Sequence, residues 1–116
     1  MKLYVISGLG ADKTVFENIV FPEKFSEIIF IDWLIPETEE TFEHFVKRMA
    51  KPIDEKEKFC LLGYSFGGIM VQEINKLKPA EKIVILGSIK SQKEMSVTFH
   101  LAKKSKIFSK IPESYF

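Results

Sequence analysis

The stretch Gly63-Tyr64-Ser65-Phe66-Gly67-Gly68 sets a serine between glycines two positions to either side, directly behind the apolar run Phe59–Leu62. A serine attacks a carbonyl carbon efficiently only if its oxygen stands clear of the surrounding chain and backbone N–H groups are at hand for the negative charge that develops. A tight strand-to-helix turn supplies both, and it brings strand and helix so close that side chains two positions before and after the serine would collide. Ser65 is therefore the candidate nucleophile, and Gly63 and Gly67 are the residues that permit the turn, with Gly68 as a further glycine beside them. The N–H of Phe66, at the start of the following helix, is a candidate oxyanion donor. The bland alternative is a passive glycine-serine turn in a parallel sheet.

A second glycine pair follows the first apolar run, in Ser7-Gly8-Leu9-Gly10. If the first and third strands are neighbours, this loop lies beside Ser65 and offers a second backbone donor, the N–H of Leu9.

A base and an acid are harder to find. The sequence has two histidines. His44 falls about 200° round a helix from Phe42 and is expected to face solvent. His100 follows Ser65 but sits in a lysine-rich tail, where a surface histidine is the simpler assignment. Glu94 lies too far along to assign, and Asp12 and Asp32 more often order turns than catalyse. Acid and base are thus assigned to no residue. Without a base, serine is a poor nucleophile, although donors and binding alone can leave an acceleration of ~10³ to 10⁴ over water.

The elements that must position these groups are readable from the pattern. Short apolar, β-branched and aromatic runs near Leu3–Ile6, Ile28–Ile31, Phe59–Leu62 and Ile83–Leu86 predict strands covered on both faces. Phe42, Phe45, Val46 and Met49 repeat at helical spacing, with Glu39 and Glu40 early and Lys47 and Arg48 late, as a helix dipole favours. Met70, Ile74 and Leu77 repeat that period after Ser65, and Lys76, Lys78 and Pro79 mark the stop. A shorter helix is expected after the first strand, N-capped by Asp12 with Val15, Phe16 and Ile19 turned inward. This alternation predicts an α/β fold, a mostly parallel sheet of about four strands with right-handed crossovers and helices on both faces.

Composition sets the limits. The chain has 116 residues, 46% of them hydrophobic and 28% charged, which fits one packed domain. Seventeen basic residues against 16 acidic ones leave a net charge of +1, which gives no electrostatic footprint for nucleic acid. The single cysteine, Cys60, excludes an internal disulfide and lacks partners for a zinc site. It reads as a small buried hydrophobe in a reducing compartment. No apolar run approaches the ~18 residues of a membrane span, so the cytoplasm is the default. No metal or organic cofactor is implied.

Together, the Ser7–Gly10 loop and the Gly63–Gly68 turn resemble the oxyanion loop and nucleophile elbow of the α/β-hydrolase superfamily, over roughly the first 88 residues. The resemblance implies the spatial strand order second, first, third, fourth, and hydrolysis of an ester, thioester or amide through an acyl-serine. By position it makes Ser65 the nucleophile and Leu9 and Phe66 the oxyanion donors. Ser7 departs from the histidine common before that glycine. The family places an acid and then a histidine after the nucleophile, and here the chain runs out first. Residues 1–88 are accordingly expected to form the hydrolase-like core of a longer enzyme, weak or inactive as this chain alone. Residues 89–116 are expected to be a basic helical tail that begins a lid. The substrate would be a small acyl compound, and the exposed Ile83–Leu86 edge a surface for self-association.

Two other functions compete. A nucleotide-binding unit would use Gly8 and Gly10, with Asp32, 22 residues after Gly10, on a ribose. Lys13 stands where its third glycine belongs, however, and Gly63, Gly67 and Gly68 go unexplained. A non-catalytic interaction module would use the tail, where Phe99, Ile107, Phe108 and Ile111 among lysines could meet an anionic membrane. A solvated helix with one apolar face is preferred there.

Overall fold

The structure is a computed structural model, and it describes residues 1–8, 16 and 19–86. The expected tail, the Asp12 cap, Val15, Leu9, Gly10, Glu94 and His100 lie outside the described residues.

Strands β1 (Lys2–Ile6), β2 (Glu27–Phe30), β3 (Phe59–Tyr64) and β4 (Lys82–Leu86) form one parallel sheet in the order β2-β1-β3-β4. Helix α1 (Phe42–Ala50) joins β2 to β3, and α2 (Phe66–Leu77) joins β3 to β4.

The alternation of side chains along β1 and β3 sorts the core into two halves. Tyr4, Ile6, Phe59 and Leu61 point to one face, where they pack with Phe45, Val46 and Met49 of α1 and Met70, Val71 and Ile74 of α2. Leu3, Val5, Cys60 and Leu62 point to the other, where Phe16 is buried with them and Phe21 and Phe25 pack at the margin. Right-handed crossovers explain the division. The chain moves one way across the sheet from β1 to β2 and the opposite way from β2 to β3 and from β3 to β4, so α1 and α2 share a face and the first connection takes the other. Both described helices therefore lie on one face; on the other, the buried Phe16 and the aromatic residues that follow it cover the sheet, and the rest of the expected helix lies outside the described residues.

Local departures from expectation have simple causes. α1 begins after Thr41, whose hydroxyl accepts from the His44 N–H at 3.1 Å, so Glu39 and Glu40 precede the helix and Glu43 supplies the acidic first turn. Leu77 closes α2 past its buried stripe and is 44% exposed, and Ile19, expected to turn inward, is exposed at 37%. Lys78, expected only as a stop signal, reaches across to α1. Its ammonium donates to the carbonyls of Ala50 (3.0 Å) and Ile53 (2.9 Å), the first of these closing α1. On β4, which like β2 has a described neighbour on one side only, Val84 and Ile85 are exposed. No helix among the described residues is long and apolar enough to cross a membrane.

Candidate active site

The turn from β3 into α2 is built by steric exclusion. A Cβ on Gly63 would press into the Gly67 carbonyl and come within 2.6 Å of the Gly68 nitrogen. One on Gly67 would press into the Ile6 carbonyl oxygen and come within 2.7 Å of that of Ser7. Distances this short to backbone have no relief, so only glycine lets α2 start against the ends of β1 and β3. Gly68 is a milder case, since its added Cβ would meet a side-chain methyl of Ile85 at 2.7 Å.

Ser65, between the two elements, has φ 56° and ψ −120°. Positive φ is rare outside glycine and costs about 1–3 kcal/mol for such a residue. Two backbone bonds hold it there: its N–H donates to the Leu86 carbonyl at 3.0 Å, and its carbonyl accepts from the Gly68 N–H at 2.9 Å. A serine at a helix N-cap ordinarily turns its hydroxyl onto the first free N–H groups of the helix. The Ser65 hydroxyl makes no such capping bond. The strained backbone thus places the half-buried Ser65 at the carboxyl rim of the sheet, beside the N-terminus of α2, with its hydroxyl not used for the cap.

The end of β1 lies against it, as the pairing of Ile6 with Gly63 requires. A Cβ on Gly8 would stand 3.2 Å from the Ser65 Cβ and 3.7 Å from its Oγ, so the Gly8 backbone passes directly by the hydroxyl. The loop expected to flank Ser65 does so as far as Gly8. Phe66 begins α2 and is buried. Beside Ser65, Tyr64 is partly exposed and meets the ring of Phe16 edge-on, at 6.2 Å between centroids.

Trp33, three residues past β2, also reaches this rim. Its indole N–H donates to the Ser7 carbonyl at 2.7 Å, and its ring stacks on that of Phe45. Sequence reasoning passed over this residue. An indole at the carboxyl end of a predicted strand, needing a partner for its N–H, was the available signal.

Among the described residues, the two polar groups considered from sequence as acid or base, Asp32 and His44, lie elsewhere. Asp32 is exposed, two residues beyond the end of β2, where it lines a groove with Phe30, Leu34, Arg48 and Lys51. His44 faces solvent as expected, but its ring binds Glu40, four residues back.

That glutamate centres a knot the sequence reading missed. Its side chain is 1% exposed and takes the Glu37 N–H at 3.0 Å, the His44 ring, and the Arg48 guanidinium at 3.4 Å. Arg48 also donates to the Ile35 carbonyl at 3.2 Å. Burial pushes the Glu40 carboxyl up, but the Glu37 amide, His44 and Arg48 stabilise its anion, and the result lies below the ordinary carboxylate value. Glu37, Glu40 and His44 bring ligand-type atoms within 4.8 Å of one another, yet Arg48 sits 3.4 Å from Glu40 and 3.7 Å from Glu37 and supplies the positive charge itself. Glu40 lies before α1, off the helical stripe that carries His44 and Arg48, so periodicity gave no sign of this knot.

The chain matches no family model, no curated protein and no solved structure. The site itself is a strained serine whose hydroxyl is free of the helix cap, held between a helix N-terminus and a glycine-bearing strand end.

Proposed function

We propose that this chain is a serine hydrolase of the α/β-hydrolase type, acting on ester or thioester substrates. The observation that carries this is the Ser65 backbone, strained at φ 56° between a strand and a helix that only Gly63 and Gly67 allow to approach. Strain of this kind is retained where a side chain must be presented in one place.

In the proposed reaction the Ser65 Oγ forms a bond to the acyl carbon, and its proton passes to an acceptor that we assign to no residue. The negative charge on the carbonyl oxygen is received by the N–H groups of Phe66 and Leu9, with the potential of the α2 N-terminus behind them. The alcohol or thiol then leaves with a proton, and water releases the acid from the acyl-serine. Gly63, Gly67 and Gly68 serve the geometry and touch no substrate. The single buried cysteine, Cys60, is compatible with a reducing, cytoplasmic setting.

The test is labelling of the full chain with a fluorophosphonate, read by intact mass and by mapping the modified peptide. One adduct on Ser65, lost in Ser65→Ala, is the expected result. An unmodified wild-type chain, or a label on another residue that persists in Ser65→Ala, would overturn the proposal.

A further inference from the structure

We propose that Trp33 is a positioning residue for Ser65: its indole N–H pins the Ser7 carbonyl and so fixes the Ser7–Gly8 backbone against the serine side chain. This rests on the serine-hydrolase function proposed above.

The hydrogen bond itself is at the short end of the N–H to oxygen range, with Nε1 2.7 Å from the Ser7 oxygen. The donor is not free to wander. The indole lies over the Phe45 ring at 6.5 Å between centroids and 16° between planes, and Phe45 is wholly buried in α1. The core of the α1 face therefore fixes where this N–H points.

The acceptor is equally constrained. The Ser7 oxygen faces the Ser65 turn, 2.7 Å from where a Cβ of Gly67 would stand. One carbonyl thus connects the indole, the end of β1 and the first turn of α2. Because the peptide unit is planar, holding the Ser7 C=O also fixes the plane of the Gly8 N–H. Gly8 is the residue whose Cβ position is 3.2 Å from the Ser65 Cβ and 3.7 Å from Oγ. Rotation of the Ser7–Gly8 peptide would move atoms directly beside the hydroxyl.

Ser7 follows the last residue of β1, and the β1–β2 pairing ends at Val5 and Phe30. Past that point the side chain of Trp33 continues the link between the two strand ends. The geometry gives it the role of holding the loop in register with Ser65 after the ladder has stopped.

The experiment compares fluorophosphonate acylation of the wild type, Trp33→Phe and Ser65→Ala, resolving the maximal rate from the half-saturating probe concentration. Thermal midpoints are measured alongside. Phe keeps a ring to stack on Phe45 but removes the donor. The maximal acylation rate should fall by about tenfold to a hundredfold, the range expected for an ångström-scale misplacement, with the half-saturating concentration nearly unchanged. A merely structural role would lower the midpoint and leave the rate of the folded protein as it was.

Should Trp33→Phe fail to fold, benzothienylalanine at position 33 keeps the indole outline while replacing the N–H with sulfur, and the same loss of rate is expected. Equal maximal rates for wild type and donor-less variant overturn the role of Trp33 and leave the hydrolase proposal standing. A wild type that takes no label overturns both.

Discussion

The carbonyl oxygen of Ile6, at the end of β1, occupies the space into which a side chain on Gly67 would grow. Strand and helix touch there through backbone alone, so no rotamer change can make room. Gly67→Ala should destabilise the chain by more than about 3 kcal/mol or prevent folding, the cost of forcing backbone apart in a packed core. Gly68→Ala should be nearly neutral, because the Ile85 methyl it meets belongs to a half-exposed side chain and alanine gains about 1 kcal/mol of helix propensity over glycine. Urea unfolding of the two variants gives the comparison directly, and similar losses for both would contradict it.

Strain at Ser65 makes a second comparison informative. Alanine inherits the positive φ, whereas glycine relieves it at the expense of a freer unfolded chain. Ser65→Gly is expected to be about 1 kcal/mol more stable than Ser65→Ala, with both devoid of fluorophosphonate labelling. Equal stabilities would mean that the strain at this position is negligible.

The Glu40 knot predicts a dependence on acid. Its folded-state pKa is lowered, so the stability it contributes is fully present above the unfolded value and is lost as pH falls through the folded one. Wild type should therefore weaken as the pH drops below the ordinary carboxylate range. Glu40→Gln should be less stable at neutral pH and show a flatter slope over that interval. Chemical denaturation at a series of pH values reads this, and parallel curves for the two proteins would refute it.

Lys78 offers a test of the contact between the helices. Its ammonium is the donor to the Ala50 and Ile53 carbonyls, and Lys78→Met keeps most of the stem while removing the charge. A loss of about 1–2 kcal/mol is expected from charge-assisted bonds at a helix end, with little change in Ser65 labelling. A midpoint equal to wild type would show that water replaces the lysine without cost.

Strand positions were legible because continuous apolar runs flanked by charge allow few alternatives, whereas the sheet order, observed as β2-β1-β3-β4, was expected only from the resemblance carried by the two glycine-rich turns. The glycine spacing around Ser65 was legible because the collision it avoids depends on backbone geometry alone. Glu40 and Trp33 were not. Each is a polar group satisfied by partners remote in sequence or contributed by loops: Trp33 by Ser7, 26 residues away, and Glu40 by the turn from Glu37 together with Arg48. Periodicity reports which face of an element is apolar, and it is silent about a buried carboxylate placed just before a helix. The inward turn expected of Ile19 failed because an apolar residue near the surface carries no signal of its own direction.

Trp33 is the sole indole in the chain, and its N–H ends on the carbonyl of the residue that precedes Gly8. Light absorbed by tryptophan alone therefore excites a single chromophore, bonded to the carbonyl next to Gly8. If Trp33 holds the backbone beside Ser65 as proposed, its emission should change when that hydroxyl is acylated, with no dye to attach and no second indole to subtract.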